Sequence, residues 1–176
     1  MFESFLQQTD EMDSVKKKVS CDEAFVKLST LCARAEYCES DMRKKMQRWD
    51  MPEGAEDEVI NRLVAERYID EERFARAFVR EKFRFNRWGR NRISMELGRK
   101  GIARFVIEDA LEEIPVDENL SSLKSLLDSK RRSVKGKNDY DVRCKLIRFA
   151  LSRGFSMDDI GKVIDGCDEL SYDENE

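Results

Sequence analysis

The chain has 176 residues, of which 40% are charged and 40% hydrophobic, with 33 basic and 37 acidic side chains for a net charge of −4. Its 8 glycines and 2 prolines are too few for a turn-rich β-sandwich or a disordered polymer. Histidine is absent, which excludes Ser-His-Asp and Cys-His catalysis and the H-E-x-x-H metal helix.

The first three predicted helices follow recognisable start and stop signals. Ser20 and Glu23 fit a capping box, Ser40 is the predicted cap of a second helix, and Pro52 closes that helix. Apolar residues at helical spacing define the three helices. They are Phe25, Leu28, Leu31, Cys32 and Ala35, then Met42, Met46 and Trp49, then Val59, Ile60, Leu63 and Val64.

A second group of helices is predicted at about 70–87, 91–100 and 103–114. Gly89 and Gly101 are the residues expected at the helix ends.

A third group repeats this plan. Its long helix carries Leu120, Leu123, Leu126 and Leu127. A loop is predicted over about 133–138, and Ser156 with Asp159 forms a capping box before the last helix.

The three groups are copies of one pattern. The corresponding pairs are Ile60 with Ile107, Asp70 with Asp117, Ile93 with Leu146, Leu97 with Ala150, Gly101 with Gly154, and Ile107 with Ile160. Such repeats predict an all-α fold, an elongated and curved array of three tandem three-helix repeats. The predicted boundaries are 1–19 for an N-terminal tail, 20–69, 70–115 and 116–168 for the repeats, and 169–176 for an acidic C-terminal tail.

The middle repeat is strongly basic. Positions 73–104 contain eleven Lys or Arg and two Glu, which gives this segment a net charge of +9. Because the whole chain has a net charge of −4, the remaining residues carry −13. Five arginines at steps of three or four residues form a ridge on the long helix; they are Arg73, Arg76, Arg80, Arg84 and Arg87. The ridge has few Glu partners four residues away, which favours an external anionic partner over a solvated, neutralised face.

An aromatic stripe beside the ridge is predicted to be buried; it consists of Phe74, Ala77, Phe78 and Phe85. Other basic residues complete the predicted partner- or DNA-binding set, and the last three of them are expected at the loop of the third repeat. They are Arg90, Arg92, Arg99, Lys100, Lys130, Arg131 and Arg132.

No catalytic residue, cofactor or metal site is predicted. The cysteines are odd in number, lack C-x-x-C spacing and are interpreted as buried free thiols; they are Cys21, Cys32, Cys38, Cys144 and Cys167. No window approaches the roughly 18 apolar residues of a membrane span, and the first residues lack a basic, then apolar, leader pattern. A cytoplasmic protein without membrane contact is therefore expected.

The second repeat resembles a known family. The segment from Tyr68 to Val79, Y-I-D-E-E-R-F-A-R-A-F-V, with the later Gly89-Arg90-Asn91-Arg92-Ile93, Leu97 and Lys100-Gly101-Ile102, is similar to the central signature of the RecX family, bacterial regulators of the RecA recombinase. The matching positions are interpreted as packing, cap and turn residues. The helical layout extends the resemblance over about 20–168.

The resemblance implies a non-enzymatic protein, expected to be a monomer, that binds the RecA filament on single-stranded DNA in DNA repair and the SOS response. It implies modulation of strand exchange, ATP hydrolysis and coprotease activity, usually by inhibition. The charge distribution itself predicts weak, salt-dependent binding to DNA. Two alternatives stay open: a helix-turn-helix-like DNA-binding protein that inserts helix 91–100 into the major groove, and a general helical scaffold for protein interaction.

Overall fold

The computed structural model describes residues 17–169, with side chains described as far as residue 164. The helices are α1 Cys21–Cys32, α2 Glu39–Met46, α3 Ala55–Ala65, α4 Glu71–Arg84, α5 Arg90–Arg99, α6 Arg104–Glu112, α7 Val116–Arg131, α8 Asp139–Ser152 and α9 Met157–Glu169. Helices in extensive contact always belong to the same consecutive group of three in the described chain. The predicted all-α array of three tandem three-helix repeats is therefore confirmed.

Each three-helix unit has its own hydrophobic core. Ile60 and Leu63 lie in the first core, Ile93 and Leu97 in the second, and Leu146 in the third, among other apolar residues. These side chains are buried because they recur every three or four residues on the inward face of each helix. The units therefore bury their apolar surface mainly within themselves.

A left-handed glycine stands at the same place in every unit, just before or close to the third helix. Gly54, Gly101 and Gly154 have φ angles of 77°, 88° and 88°. Glycine adopts this backbone conformation without a side-chain clash. The predicted correspondence of Gly101 and Gly154 is confirmed, and Gly54 extends it to the first unit.

The predicted helix caps at both ends of the array are confirmed. The Glu23 amide donates to Ser20 Oγ at 3.3 Å, and the Ser20 amide donates to Glu23 Oε2 at 3.4 Å. The Asp159 amide donates to Ser156 Oγ at 3.1 Å. These bonds satisfy amides that a helix N-terminus leaves without an internal partner.

The start and end of α2 differ from the sequence prediction. Cys38, not Ser40, precedes its first residue, and α2 ends at Met46. Trp49 therefore lies outside the helix, in the strand β2 Trp49–Asp50, which pairs in parallel with β1 Lys17–Lys18.

This pairing orders the end of the predicted N-terminal tail. Val19 is 3% exposed in the first core, and its amide donates to the Asp50 carbonyl at 3.1 Å. Residues 17–19 thus pack with the first unit, whereas the rest of that tail and the last residues of the chain lie outside the described residues.

The second and third units meet through their turns. The Gly89 amide donates to the Arg153 carbonyl at 2.8 Å, and the Asn91 amide donates to the Gly154 carbonyl at 3.1 Å. A Cβ on Gly89 would lie 2.4 Å from the Gly154 oxygen. The α4–α5 turn and the α8–α9 turn therefore touch backbone to backbone, which a larger residue at either glycine would prevent.

The first and second units meet through charged side chains. Lys100 Nζ lies 2.7 Å and 2.8 Å from the two carboxylate oxygens of Asp41. Burial acts to raise the pKa of Asp41, but hydrogen bonds from Lys100 and Cys38 outweigh it and hold the pKa below its ordinary value. Cys38 itself packs in the core of the second unit.

Candidate partner-binding surface

The basic ridge lies on α4, whose opposite side is buried. The Arg73 amide donates to Asp70 Oδ1 at 2.9 Å, which caps the helix N-terminus. The buried residues are Phe74, Ala75, Val79 and Phe83. Because Ala75, Val79 and Phe83 recur every four positions on one face of the helix, the arginines between them point outward.

The predicted aromatic stripe is only partly correct. Phe74 is buried at 5% exposure, and Phe78 is half-buried with its ring 5.8 Å from that of Phe74. Phe85 is 83% exposed, so its predicted burial is wrong. The reason is that α4 ends at Arg84 and Phe83 occupies the last buried position, which leaves Phe85 in the turn beyond the helix.

The N-terminal half of the ridge is neutralised by carboxylates from other elements. Arg73 Nε lies 2.7 Å from Glu36, and Arg76 Nη2 lies 2.7 Å from Asp109. Hydrogen bonds to these carboxylates raise the pKa of both guanidinium groups. Glu113 lies 3.7 Å from Arg76 and from Arg80.

These acidic partners were missed by the sequence argument, which considered only partners four residues away on α4. Asp109 lies on α6 and Glu113 directly after it, so α5 separates both residues from α4 in the sequence. The fold nevertheless brings them alongside α4. Arg73 and Arg76 therefore have internal carboxylate partners, as the interpretation of a neutralised face expects. No periodic signal in the sequence pairs residues across two helices.

The C-terminal half of the ridge has no such partners among the residues that the structure describes. Within residues 17–164, no carboxylate oxygen lies within 4.0 Å of Arg84 or Arg87, whereas Arg87 Nη1 donates to Ser125 Oγ at 3.1 Å. Both arginines line a groove of about 490 Å³ between the end of α4 and the start of α7. This end of the ridge is the part that can receive an external anion.

Arg90 and Arg92 are used inside the molecule. Arg90 Nη2 donates to the Ile114 carbonyl at the end of α6. Arg92 Nη1 donates to the Ser152 carbonyl at 3.0 Å, and its guanidinium lies 4.1 Å from the centre of the Trp88 ring. The Arg90 bond holds α5 against the end of α6 within the second unit, and the Arg92 bond links the second unit to the third.

The two basic residues at the end of α5 also have internal partners. Arg99 Nη1 lies 2.8 Å from Glu96 on the same helix. Lys100 makes the contact with Asp41 described above and lies 5.5 Å from the centre of the Phe74 ring. Lys100 therefore stabilises the junction between the first and second units.

The basic group of the third unit lies at a helix end. Because α7 extends to Arg131, Lys130 and Arg131 belong to its last turn and not to the predicted loop. Cations at this position interact favourably with the helix dipole. Lys130 Nζ lies 5.1 Å from the centre of the Phe149 ring, and Arg131 and Arg132 are exposed without a carboxylate partner in the described chain.

The cysteines differ from the prediction that all are buried free thiols. Cys38 is buried, whereas the other three whose side chains are described are half-buried; they are Cys21, Cys32 and Cys144. Burial raises the pKa of the Cys32 and Cys38 thiols, which keeps them protonated and weakly nucleophilic. The Cys167 side chain lies outside the described residues.

The described residues contain no group of three or more acidic or cysteine side chains arranged to hold a metal ion. Among residues 17–169, no helix combines the length and the apolar content needed to cross a membrane.

These features define a protein made of tandem three-helix units, joined by small junctions and carrying an exposed basic surface on the middle unit. Residues 70–111 match the family model described as RecX, second three-helix domain, and residues 117–164 match RecX, third three-helix domain. The chain belongs to the RecX family.

Similar proteins agree with this assignment. The Regulatory protein RecX of Ectopseudomonas mendocina is 33% identical over 79% of this chain and 91% of its own length. The Regulatory protein RecX of Pseudomonas putida is 34% identical over 81% of this chain and 89% of its own length. A crystal structure of regulatory protein RecX has the same fold, with a TM-score of 0.76 over 82% of this chain and 73% of that chain at 23% identity.

Proposed function

We propose that this protein regulates the RecA recombinase by binding the RecA filament on single-stranded DNA. Binding modulates strand exchange, ATP hydrolysis and coprotease activity, usually by inhibition, during DNA repair and the SOS response. The protein acts in the cytoplasm as a monomer and catalyses no reaction. The resemblance in the second repeat and the assignment to a family whose members are named regulatory proteins support this proposal.

The observation that carries the binding surface is the set of exposed arginines at the end of α4 that have no carboxylate partner among residues 17–164. Arg84 and Arg87 lie there, and the one carboxylate near Arg80 in the described part of the chain is Glu113, at 3.7 Å. Arginine binds phosphate and carboxylate groups through two parallel hydrogen bonds, so this end of the ridge suits an acidic filament groove or DNA phosphates. Arg131 and Arg132 extend the proposed surface to the third unit.

The helix-turn-helix alternative has less support. It depended on Arg90, Arg92 and Arg99 to contact DNA from α5. Two of these arginines donate to backbone carbonyls of this chain, and the third pairs with Glu96. A major-groove contact by α5 would have to break these bonds.

The test is a double charge reversal, Arg80→Glu with Arg84→Glu. Like charges placed against an acidic partner cost several kcal/mol, and each roughly 1.4 kcal/mol is tenfold in affinity. We expect inhibition of recombinase ATP hydrolysis and strand exchange to fall at least tenfold, with unchanged circular dichroism. Retention of full inhibition by the folded variant would place the binding surface elsewhere.

The chain offers a matched control on the first unit. Lys44→Glu with Arg48→Glu makes the same charge change at the same spacing. Both residues are exposed, and no carboxylate oxygen of the described chain lies within 4.0 Å of their charged groups. We expect this control to inhibit like the unmodified protein. An equal loss in both variants would indicate a general charge effect.

A further inference from the structure

Three aromatic side chains are strongly exposed on the described surface. Phe85 is 83% exposed, Tyr140 is 75% exposed and Phe105 is 71% exposed. A large ring left in water forgoes the burial that stabilises most aromatic residues, so each is a candidate for contact with another molecule. Their charged neighbours distinguish them.

Phe105 and Tyr140 have carboxylates close to their basic neighbours. Phe105 follows Arg104, whose guanidinium lies 2.7 Å from Glu108. Tyr140 stands between Asp139 and Asp141 in the acidic first turn of α8. Tyr140 lines a pocket that contains Asp128 and Asp139 as well as Arg131, so its surroundings carry both signs of charge. The cation next to Phe105 in sequence is paired with a carboxylate.

Phe85 has the opposite surroundings. It lies between Arg84 and Arg87, the two ridge arginines without a carboxylate within 4.0 Å in the described chain. Arg87 has a φ angle of 52°, which turns the chain immediately after the ring. The result is an exposed aromatic ring flanked in sequence by Arg84 and Arg87. One N–H group of Arg87 donates to Ser125 Oγ, and its remaining N–H groups are available to an anion.

The nearby Trp88 lies in the same turn, but its ring is already in contact with other side chains. Arg92 lies 4.1 Å and Lys82 lies 5.8 Å from the centre of the indole ring. Trp88 also packs against the core of the second unit. Phe85 has no ring or cation contact among the described residues, so its face is free for a ligand.

We propose that Phe85 stacks on an unpaired base of single-stranded nucleic acid while Arg84 and Arg87 bind the adjacent phosphates. Every base has a flat π-face, and aromatic stacking beside a basic surface is how many proteins hold single strands without reading their sequence. A paired base is covered by its neighbours in the duplex, so the site prefers single strands. This inference rests on the proposed function for its biological setting.

The groove beside the ring limits the strength of the site. Asp117 and Glu118 line it together with the two arginines and three serines. Their charge opposes a phosphate deep in the groove, so phosphates bind at the rim on the side of Arg84 and Arg87. We therefore expect weak binding of single strands, to which stacking on Phe85 contributes a large share of the affinity.

The experiment measures binding of a fluorescent thymidine oligonucleotide, and of a duplex of the same length, without recombinase. Phe85→Ala should bind the single strand about 5- to 140-fold more weakly, which is the effect of losing one stacked base. Duplex binding should change far less. Phe85→Trp should bind the single strand at least as tightly as the unmodified protein, because the larger ring stacks better.

Phe105→Ala is the matched control, since it removes another exposed ring and should leave single-strand binding unchanged. A second measurement is photocross-linking to an oligonucleotide carrying 5-iododeoxyuridine, with the adduct located by mass spectrometry. We expect the adduct on Phe85. Circular dichroism confirms that each variant is folded.

The outcomes separate this inference from the proposed function. Single-strand binding that is lost in Phe85→Ala supports the stacking site even if the protein has no effect on recombinase. Unchanged single-strand binding by Phe85→Ala, or no binding by the unmodified protein, overturns it. If that variant instead loses only its inhibition of recombinase, Phe85 contacts the protein partner and the stacking site is also overturned.

Discussion

Two phenylalanines of the α4 region have opposite environments although both follow the same sequence pattern. Phe74 is 5% exposed in the second core, whereas Phe85 is 83% exposed beyond the helix end. The burial of a side chain depends on where the helix stops as well as on its period. We therefore expect Phe74 to contribute to the stability of the fold and Phe85 to contribute to binding.

Alanine substitutions should reveal this division in a urea titration. We expect Phe74→Ala to lower the free energy of unfolding by about 3 to 5 kcal/mol, because it leaves a cavity in the core. Phe78→Ala should cost less, since Phe78 is half-buried. Phe85→Ala should stay within about 0.5 kcal/mol of the unmodified protein. A loss of several kcal/mol in Phe85→Ala would mean that its ring is buried in solution.

At the scale of elements, the units are joined by contacts of different chemistry. The first junction depends on a partly buried ion pair between Asp41 and Lys100. The second depends on backbone hydrogen bonds between the turns that contain Gly89 and Gly154. The stability of the first junction should therefore depend on pH. The stability of the second should depend on the size of the residue at Gly89 or Gly154.

The ion pair makes stability fall in acid. Because the folded pKa of Asp41 lies below its ordinary value of 3.8, its contribution is fully present above about pH 4 and is lost as the pH falls through the folded pKa. We expect Asp41→Asn to cost about 1 to 3 kcal/mol at pH 7 by urea titration. The difference from the unmodified protein should shrink below pH 4. A difference that stays constant from pH 7 to pH 3 would exclude this ion pair as the cause.

The second junction can be tested with two glycines that share one backbone conformation. Gly101 and Gly154 both have a φ of 88°, but a Cβ on Gly154 would lie 2.3 Å from Arg92 Cβ, whereas a Cβ on Gly101 has no atom within 4 Å. Alanine at either position costs about 1 to 2 kcal/mol of backbone strain. We expect Gly154→Ala to lose more than Gly101→Ala.

The readout is differential scanning calorimetry together with limited proteolysis of the α8–α9 turn. Only Gly154→Ala should expose that turn, because only this variant separates the second and third units. Equal destabilisation and equal cleavage in the two variants would show that the junction contributes nothing beyond the strain.

At the scale of the whole molecule, charge is unevenly distributed. The segment 73–104 carries a net charge of +9, whereas the whole chain has a net charge of −4. Part of this local charge is neutralised by Glu36, Asp109 and Glu113, so fewer cations face solvent than the sequence indicates. The protein should therefore attract nucleic acid only at short range.

Direct binding to DNA should consequently be weak and sensitive to salt. For single strands, the slope of log K against log salt is about −0.7 for each phosphate neutralised. We expect this slope to become less negative by about 1.4 when Arg84 and Arg87 are both changed to alanine, as measured by fluorescence anisotropy in titrated salt. Tight, sequence-selective duplex binding at physiological salt would contradict the expectation and would favour the helix-turn-helix alternative.

The sequence by itself determined the helical array, because apolar spacing, caps and glycines act within a few residues of one another. Ser20, Asp70 and Ser156 mark helix starts that the structure retains, and Ile93 with Leu97 marks a buried face. Such signals are local, so a single sequence contains them.

Only the tertiary structure decided which basic residues are free. Arg76 meets Asp109 on another helix, Arg92 meets a carbonyl of the third unit, and Arg84 meets no carboxylate in the described chain. All three looked alike in the sequence. Ion pairing depends on distances across the folded chain, and helical periodicity within one segment contains no information about those distances.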